Sequence, residues 1–204
     1  QEIKIKKKTS FFSFLNYLKQ SPSSYRKLAI GLLAFTLFNS SDVFLLLKAK
    51  DAGLDDTSII GVYIFYNLIY ALFAFPIGIL ADKIGLKKVF IFGLSLFAIV
   101  YFGMATNTNL YVFFGLFFLY GVYAAATEGI SKAWISNICD KKYTATAIGT
   151  FSAFQSICTM LASALAGFIW FTFGASIIFI VTGIATLIII IYLMYSVRHS
   201  IPNK

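Results

Sequence analysis

Apolar residues run along this chain in six long blocks with short polar punctuation between them, near 28–48, 58–81, 88–105, 110–132, 144–168 and 176–196. A helix needs roughly 20 mostly apolar residues to cross about 30 Å of hydrocarbon, and each block is close to that length. The stretches between them are Lys50-Asp51-Ala52-Gly53, Asp82-Lys83-Ile84-Gly85, Asn107-Thr108-Asn109, Asp140-Lys141-Lys142 and Phe173-Gly174. They carry the turn and charge signals of tight connections. An open sheet cannot satisfy its backbone in lipid, so all six blocks are predicted as helices. The fold class is therefore all-α, a polytopic membrane protein with six transmembrane helices.

Polar residues are shared unevenly among the blocks. The first carries Asn39, Ser40, Ser41 and Asp42. The second carries Tyr63, Asn67 and Tyr70 on one helical face, and the fourth Tyr120, Tyr123 and Thr127. The fifth carries a stripe of Ser152, Gln155, Ser156, Thr159 and Ser163, whereas the third and sixth are almost wholly aliphatic and aromatic. A helix with a polar stripe faces protein or water, and one apolar all round faces lipid. Four helices are thus expected to line a cavity, with the third and sixth at the periphery. The order liner, liner, outer occurs twice. Three crossings invert the second copy, which gives two inverted three-helix repeats, a plan used by transporter halves.

Composition agrees with this picture. Of 204 residues, 59% are hydrophobic and 12% charged, against about 25% charged in an ordinary soluble domain. The net charge of +9 raises the possibility of nucleic acid, but the basic residues sit in short clusters between apolar runs and form no single stripe. All but two of the 17 basic residues fall on the side shared by the N-terminus, the second and fourth connections and the C-terminus; the exceptions are Lys48 and Lys50. Positive residues stay cytoplasmic, so both termini are expected inside the plasma membrane. Residues 1–27 read as a basic cytoplasmic linker, 28–196 as the membrane domain and 197–204 as a cytoplasmic tail. Within the linker, Phe11, Phe14, Leu15 and Leu18 have helical spacing, which suits an amphipathic helix on the membrane surface. Ser21-Pro22-Ser23-Ser24 suits a flexible connection instead. Cys139 and Cys158 do not make a disulfide framework. The opening Gln1 leads us to expect a fragment or a processed chain.

The connection after the second span reads Gly78-Ile79-Leu80-Ala81-Asp82-Lys83-Ile84-Gly85-Leu86-Lys87-Lys88. It resembles the signature Gly-x-x-x-Asp-Arg/Lys-x-Gly-x-Arg/Lys-Arg/Lys of the major facilitator superfamily. Gly78 lies one turn before Asp82 and allows close helix approach. Gly85 allows a tight turn. Lys83, Lys87 and Lys88 hold the loop at the headgroups. Asp82 sits at a helix C-terminus, the wrong end for an anion. The resemblance implies a positive partner for it at the start of the fifth helix, near Thr144. Glu128-Gly129-Ile130-Ser131-Lys132-Ala133, Thr146-Ala147-Ile148-Gly149 and Ala166-Gly167 look like stretches from C-terminal halves of bacterial members. The resemblance implies that residues 28–196 are the last six helices of a twelve-helix transporter, with an N-terminal half as partner.

Among ionisable residues, Asp42 is the carboxylate deep inside a span, and intramembrane acids are costly and often functional. It is read either as a proton- or substrate-coupling group beside Asn39, or as part of a helix break capped by Ser41 or by Asp42 itself, since Ser-Ser-Asp before Val-Phe-Leu-Leu-Leu is also a helix-start pattern. Glu128 and Lys132 stand at i, i+4 in the favourable order, as a self-satisfied pair or as a cytoplasmic gate. The candidate cavity residues are Asp42, Asn39, Tyr63, Asn67, Tyr70, Tyr123, Gln155 and Thr159. Ala162/Ala166 and Ser163/Gly167 are small pairs that suit tight packing of the fifth helix.

Three functions compete. A secondary transporter would move a small solute by alternating access, coupled to a proton or other ion gradient, because no Gly-x-x-x-x-Gly-Lys phosphate loop is present. A membrane scaffold or assembly protein on the same fold would need no polar cavity. A membrane enzyme lacks support: the one histidine is His199, the cysteines are not spaced as ligands, and neither metal nor cofactor is expected.

Overall fold

The computed structural model describes residues 17, 18 and 20–196. Most of the surface helix expected near Phe11–Leu18, and the tail 197–204, lie outside the described residues. Among the described residues, seven α-helices make six spans. The first span is α1 (Ser23–Phe38) followed by α2 (Val43–Asp51). The others are α3 (Asp56–Ile84), α4 (Leu86–Thr106), α5 (Leu110–Ile138), α6 (Thr144–Phe173) and α7 (Ala175–Ser196). All six are long and apolar enough to cross a membrane. At about 1.5 Å per residue, α4 and α7 just match the hydrocarbon, and the longer spans reach into the headgroups or tilt.

The two repeats are visible in the lengths. The first three spans have 29, 29 and 21 residues; measured on the helices alone, the next three have 29, 30 and 22. The joints correspond too. A single residue, Gly85, connects α3 to α4, and a single residue, Gly174, connects α6 to α7. Both adopt positive φ, +101° and +90°, where a side chain is strained. Each donates its N–H back one turn, to Ala81 and to Trp170. The tight turn expected at Gly85 is therefore present, and its counterpart recurs in the second copy. Lys87, just past the joint, donates from Nζ to the carbonyl of Met194 at 2.8 Å, a cation at the C-terminal end of α7.

Lipid tails are as apolar as leucine, so these helices associate through close packing and hydrogen bonds rather than by escape from water. α5 is central. It packs along α3 and α4, and α4 packs in turn along α7. The fourth span buries 61% of its apolar window, whereas the fifth buries 11%. The third and sixth spans face outward on one side only. Each buries one face, with Phe90, Phe97 and Tyr101 of α4 and Phe179 and Leu193 of α7 inside, and turns an aliphatic face outward. A leucine or phenylalanine packs on a helix as well as on lipid, so an all-apolar helix leaves its location open. On α6, Ala162 and Ala166 are buried as expected, but Ser163 and Gly167 are only partly so.

Gly121 is where α5 meets α3. A Cβ there would lie 2.6 Å from the Tyr66 carbonyl oxygen and 2.8 Å from Ile69 Cβ. Backbone cannot yield as a side chain does. Gly121→Ala should therefore lower the thermal stability of the detergent-solubilised protein by about 1–3 kcal/mol, the usual cost of overpacking. Gly115→Ala on the same helix, where a Cβ meets nothing within 4 Å, should be neutral or gain up to about 1 kcal/mol from helix propensity.

Candidate functional site

The first span does not cross as one helix. α1 ends at Phe38 and α2 starts at Val43, leaving Asn39–Asp42 between them. Asn, Ser and Asp side chains compete for nearby backbone groups, which favours interruption over propagation. The Asn39 N–H closes α1 on the Phe35 carbonyl at 2.8 Å, and the carbonyls of Ser41 and Asp42 accept from Phe44, Leu45 and Leu46 to restart the helix. Val43 N–H reaches Ser41 Oγ at 3.4 Å. Thr182 of α7 donates to the Phe38 carbonyl at 3.3 Å, occupying one acceptor that the break frees.

Of the two readings of Asp42, the break is there but Asp42 does not cap it with its side chain. Its carboxylate is held from two other helices. Tyr66 Oη of α3 donates to Oδ2, and Tyr120 Oη of α5 donates to Oδ1, each at 2.6 Å. Those distances belong to charge-assisted O–H···O⁻ bonds. The two tyrosine rings meet edge to face with centroids 5.4 Å apart, and Phe117 stacks on Tyr66 at 6.1 Å, so both donors are fixed by packing. Beside them Asn39 Nδ2 donates to Tyr123 Oη at 3.0 Å. Tyr123 lies 5.2 Å from the Tyr120 ring and 4.7 Å from Phe97.

This cluster opens on a cavity of about 640 Å³, within the roughly 300–1,000 Å³ of small-molecule sites. All eight residues singled out from the sequence stand on its walls: Asp42, Asn39, Tyr63, Asn67, Tyr70, Tyr123, Gln155 and Thr159. Glu128 and Lys132 line it too. The walls come from the first, second, fourth and fifth spans, with Phe90 as the one residue from the third. Some of the polar groups are already engaged at home. Asn67 Nδ2 donates to the Tyr63 carbonyl at 2.8 Å, and Thr127 Oγ1 to the Tyr123 carbonyl at 2.9 Å.

Glu128 and Lys132 do not close into a pair. Among the described residues the one ion pair is Lys50–Asp56, at 2.6 Å on the opposite side of the helix bundle. Tyr66, one of the two donors to Asp42, was missed as a candidate. Its signal was present, since it lies three residues after Tyr63 and four before Tyr70 on one face. Ser40 and Tyr101 were also passed over, Tyr101 because its helix carries no polar stripe.

The signature loop departs from expectation at two points. A Cβ at Gly78 would meet nothing within 4 Å, so this glycine permits no close approach among the described residues. It lines a second groove, of about 400 Å³, together with Asp82 and with Ala125, Gly129 and Ala133 of α5. Thr144 is not the partner of Asp82. Its hydroxyl bonds to Asp140 and Cys139, and α3 packs on α5 rather than α6. Near its own end, then, α3 meets small residues of the fourth span, not the start of the fifth.

Removing either tyrosine hydroxyl leaves the part-buried Asp42 carboxylate short of a donor. Tyr66→Phe and Tyr120→Phe should each cost about 1.5–3 kcal/mol in thermal stability, the range for hydrogen bonds to a charged group. The same substitutions on an Asp42→Asn background should cost clearly less. Equal losses on both backgrounds would mean that the hydroxyls act through packing alone.

The sequence profile of the Major Facilitator Superfamily matches residues 28–204, the membrane domain and the stretch beyond it. An uncharacterised MFS-type transporter of Methanocaldococcus jannaschii is 33% identical over 185 residues, which is 84% of this chain and 46% of that protein. The chain thus spans about half the length of the relative it matches. The signature between the second and third spans, the six helices in two three-helix repeats, and the profile agree: this multi-pass membrane protein belongs to the Major Facilitator Superfamily.

Proposed function

We propose that the chain is the C-terminal half of a secondary transporter, which moves a small solute across the plasma membrane by alternating access. The observation that carries this reading is the cavity at the helix break. It is lined by four spans, it holds a carboxylate, and it has the volume of a small organic solute. A scaffold on the same fold has no use for such a cavity. The distribution of basic residues supports cytoplasmic termini. An N-terminal six-helix half would supply the facing wall, and the weakly buried second and fifth spans suit that contact.

The break gives the mechanism its moving part. Asp42 ties the start of α2 to α3 and α5 through Tyr66 and Tyr120. While the carboxylate is charged, both bonds are strong and α2 is held. A proton or other coupling cation that neutralises Asp42 weakens both at once and frees α2 to swing about Asn39–Asp42. A ligand shifts a two-state equilibrium by its difference in affinity for the two states, and here that difference is the loss of two charge-assisted bonds. Glu128 and Lys132, unpaired with each other, are free to pair differently as the cytoplasmic end closes.

The test needs no known substrate. In the full encoded protein with Cys139→Ser and Cys158→Ser, a single cysteine at Gln155 is labelled with a membrane-impermeant maleimide in right-side-out and inside-out vesicles. Alternating access predicts labelling from both sides, with the balance shifting severalfold when the ionic gradient is reversed. The shift should vanish in Asp42→Asn. Labelling from one side only, under every gradient, would sink the transporter reading.

A further inference from the structure

The break also gathers oxygen atoms that nothing in the protein satisfies. Among the described residues, four buried side-chain polar atoms lack a hydrogen-bond partner, and three of them are at this point: Asn39 Oδ1, Ser40 Oγ and Tyr101 Oη. Ser40 is 5% exposed and Tyr101 1%. The Tyr101 and Ser40 hydroxyls approach each other closely enough to interact, though not in full hydrogen-bond geometry, and Tyr101 lies within electrostatic reach of Asp42. Asn39 gives its amide nitrogen to Tyr123, which leaves its buried amide oxygen without a partner. The backbone contributes further acceptors, because the carbonyls of Asn39 and Ser40 take part in no backbone hydrogen bond.

Buried polar groups are normally paired, and each orphan in low dielectric costs about 1–3 kcal/mol. Two of these orphans lie within three residues of Asp42 in the break itself and the third approaches from α4, which is too local for scattered defects. Their chemistry is uniform. All are oxygens, no sulfur or imidazole is near, and oxygen ligands select hard cations. The dipoles agree. The C-terminal end of α1 points its negative end at the break, and unwound carbonyls at such half-helix ends are the groups that hold small cations inside membranes. Asp42 supplies a single negative charge there. A monovalent ion leaves the site neutral, whereas a divalent one would leave an uncompensated charge in the membrane. The tyrosines do not block the site, since each carboxylate oxygen keeps a second lone pair.

We propose that the break binds a sodium ion, held by Asp42, Asn39 Oδ1, Ser40 Oγ, Tyr101 Oη and the unwound carbonyls. This rests on the transporter reading above and names its coupling ion. Sodium occupies the orphaned oxygens and draws charge from the Asp42 carboxylate, so it loosens the Tyr66 and Tyr120 bonds without any transfer of a proton.

The experiment is thermal denaturation of the full encoded protein, purified in detergent and titrated with sodium, potassium or choline chloride at constant ionic strength. Sodium should raise the midpoint in a saturable way and choline should not. Ser40→Ala and Tyr101→Phe should each raise the half-saturating sodium concentration by about tenfold, the scale on which loss of one supporting ligand acts. Asp42→Asn should abolish the response. Thr150→Val removes the fourth orphaned hydroxyl, which lies on α6 away from the cavity walls, and should leave the sodium response intact. A potassium response equal to that of sodium, an equal response to all three salts, or none would each overturn the assignment. Two-sided labelling of the Gln155 cysteine with no sodium response removes sodium and keeps the transporter. One-sided labelling removes the transporter whatever sodium does.

Discussion

Within hydrocarbon no water is available to a bare amide or carbonyl, so every backbone group must find its partner inside the protein. That constraint makes the six spans helical and shapes everything between them. It explains why the joints at Gly85 and Gly174 are as short as a chain allows, with each glycine N–H returned to the preceding turn. It also makes Asn39–Asp42 conspicuous. There the chain forgoes several helical bonds in mid-span, which is tolerated only where protein or a cavity surrounds the interruption. Thr182, Tyr123, Tyr66 and Tyr120 converge on it from three helices.

The repeat puts the break in relief. Lengths and joints match between the two copies, but the lead helix is interrupted only in the first. α5, its counterpart, runs unbroken from Leu110 to Ile138. Asp42 and Glu128 stand at nearly the same distance from the starts of their spans, Ser23 and Leu110, and both face the one cavity. Because the copies are inverted, the two carboxylates lie toward opposite surfaces. The asymmetry lies in how each acid is held: Asp42 by two tyrosines at an unwound segment, Glu128 beside Tyr70 on intact helix.

Much of this was legible beforehand. Block length gave the spans, and stripes of Tyr, Asn, Gln and Thr gave the four helices of the cavity, because a polar residue in lipid has few places to face. Asp42 and the break could be seen together but not told apart, since Ser-Ser-Asp signals a helix start whether or not the aspartate caps it. What decided the matter was the arrival of Tyr66 and Tyr120 from elsewhere in the chain, which no local pattern reports. That α4 and α7 each bury a whole face could not be foreseen for a related reason: an aliphatic surface reads the same whether it meets lipid or another helix. The supposed partner of Asp82 near Thr144 failed because it rested on the family pattern and not on any property of the residues between.

The one-residue joints limit the motions open to the bundle. A single peptide unit reaches less than about 4 Å, so the end of α3 and the start of α4 stay at the same depth, and α6 and α7 stand in the same relation. Within each pair the helices can tilt against one another but cannot slide past one another along their axes. A rearrangement of the bundle therefore has to carry each pair as one body, and the freedom to shift in depth is left to the helices joined by longer connections.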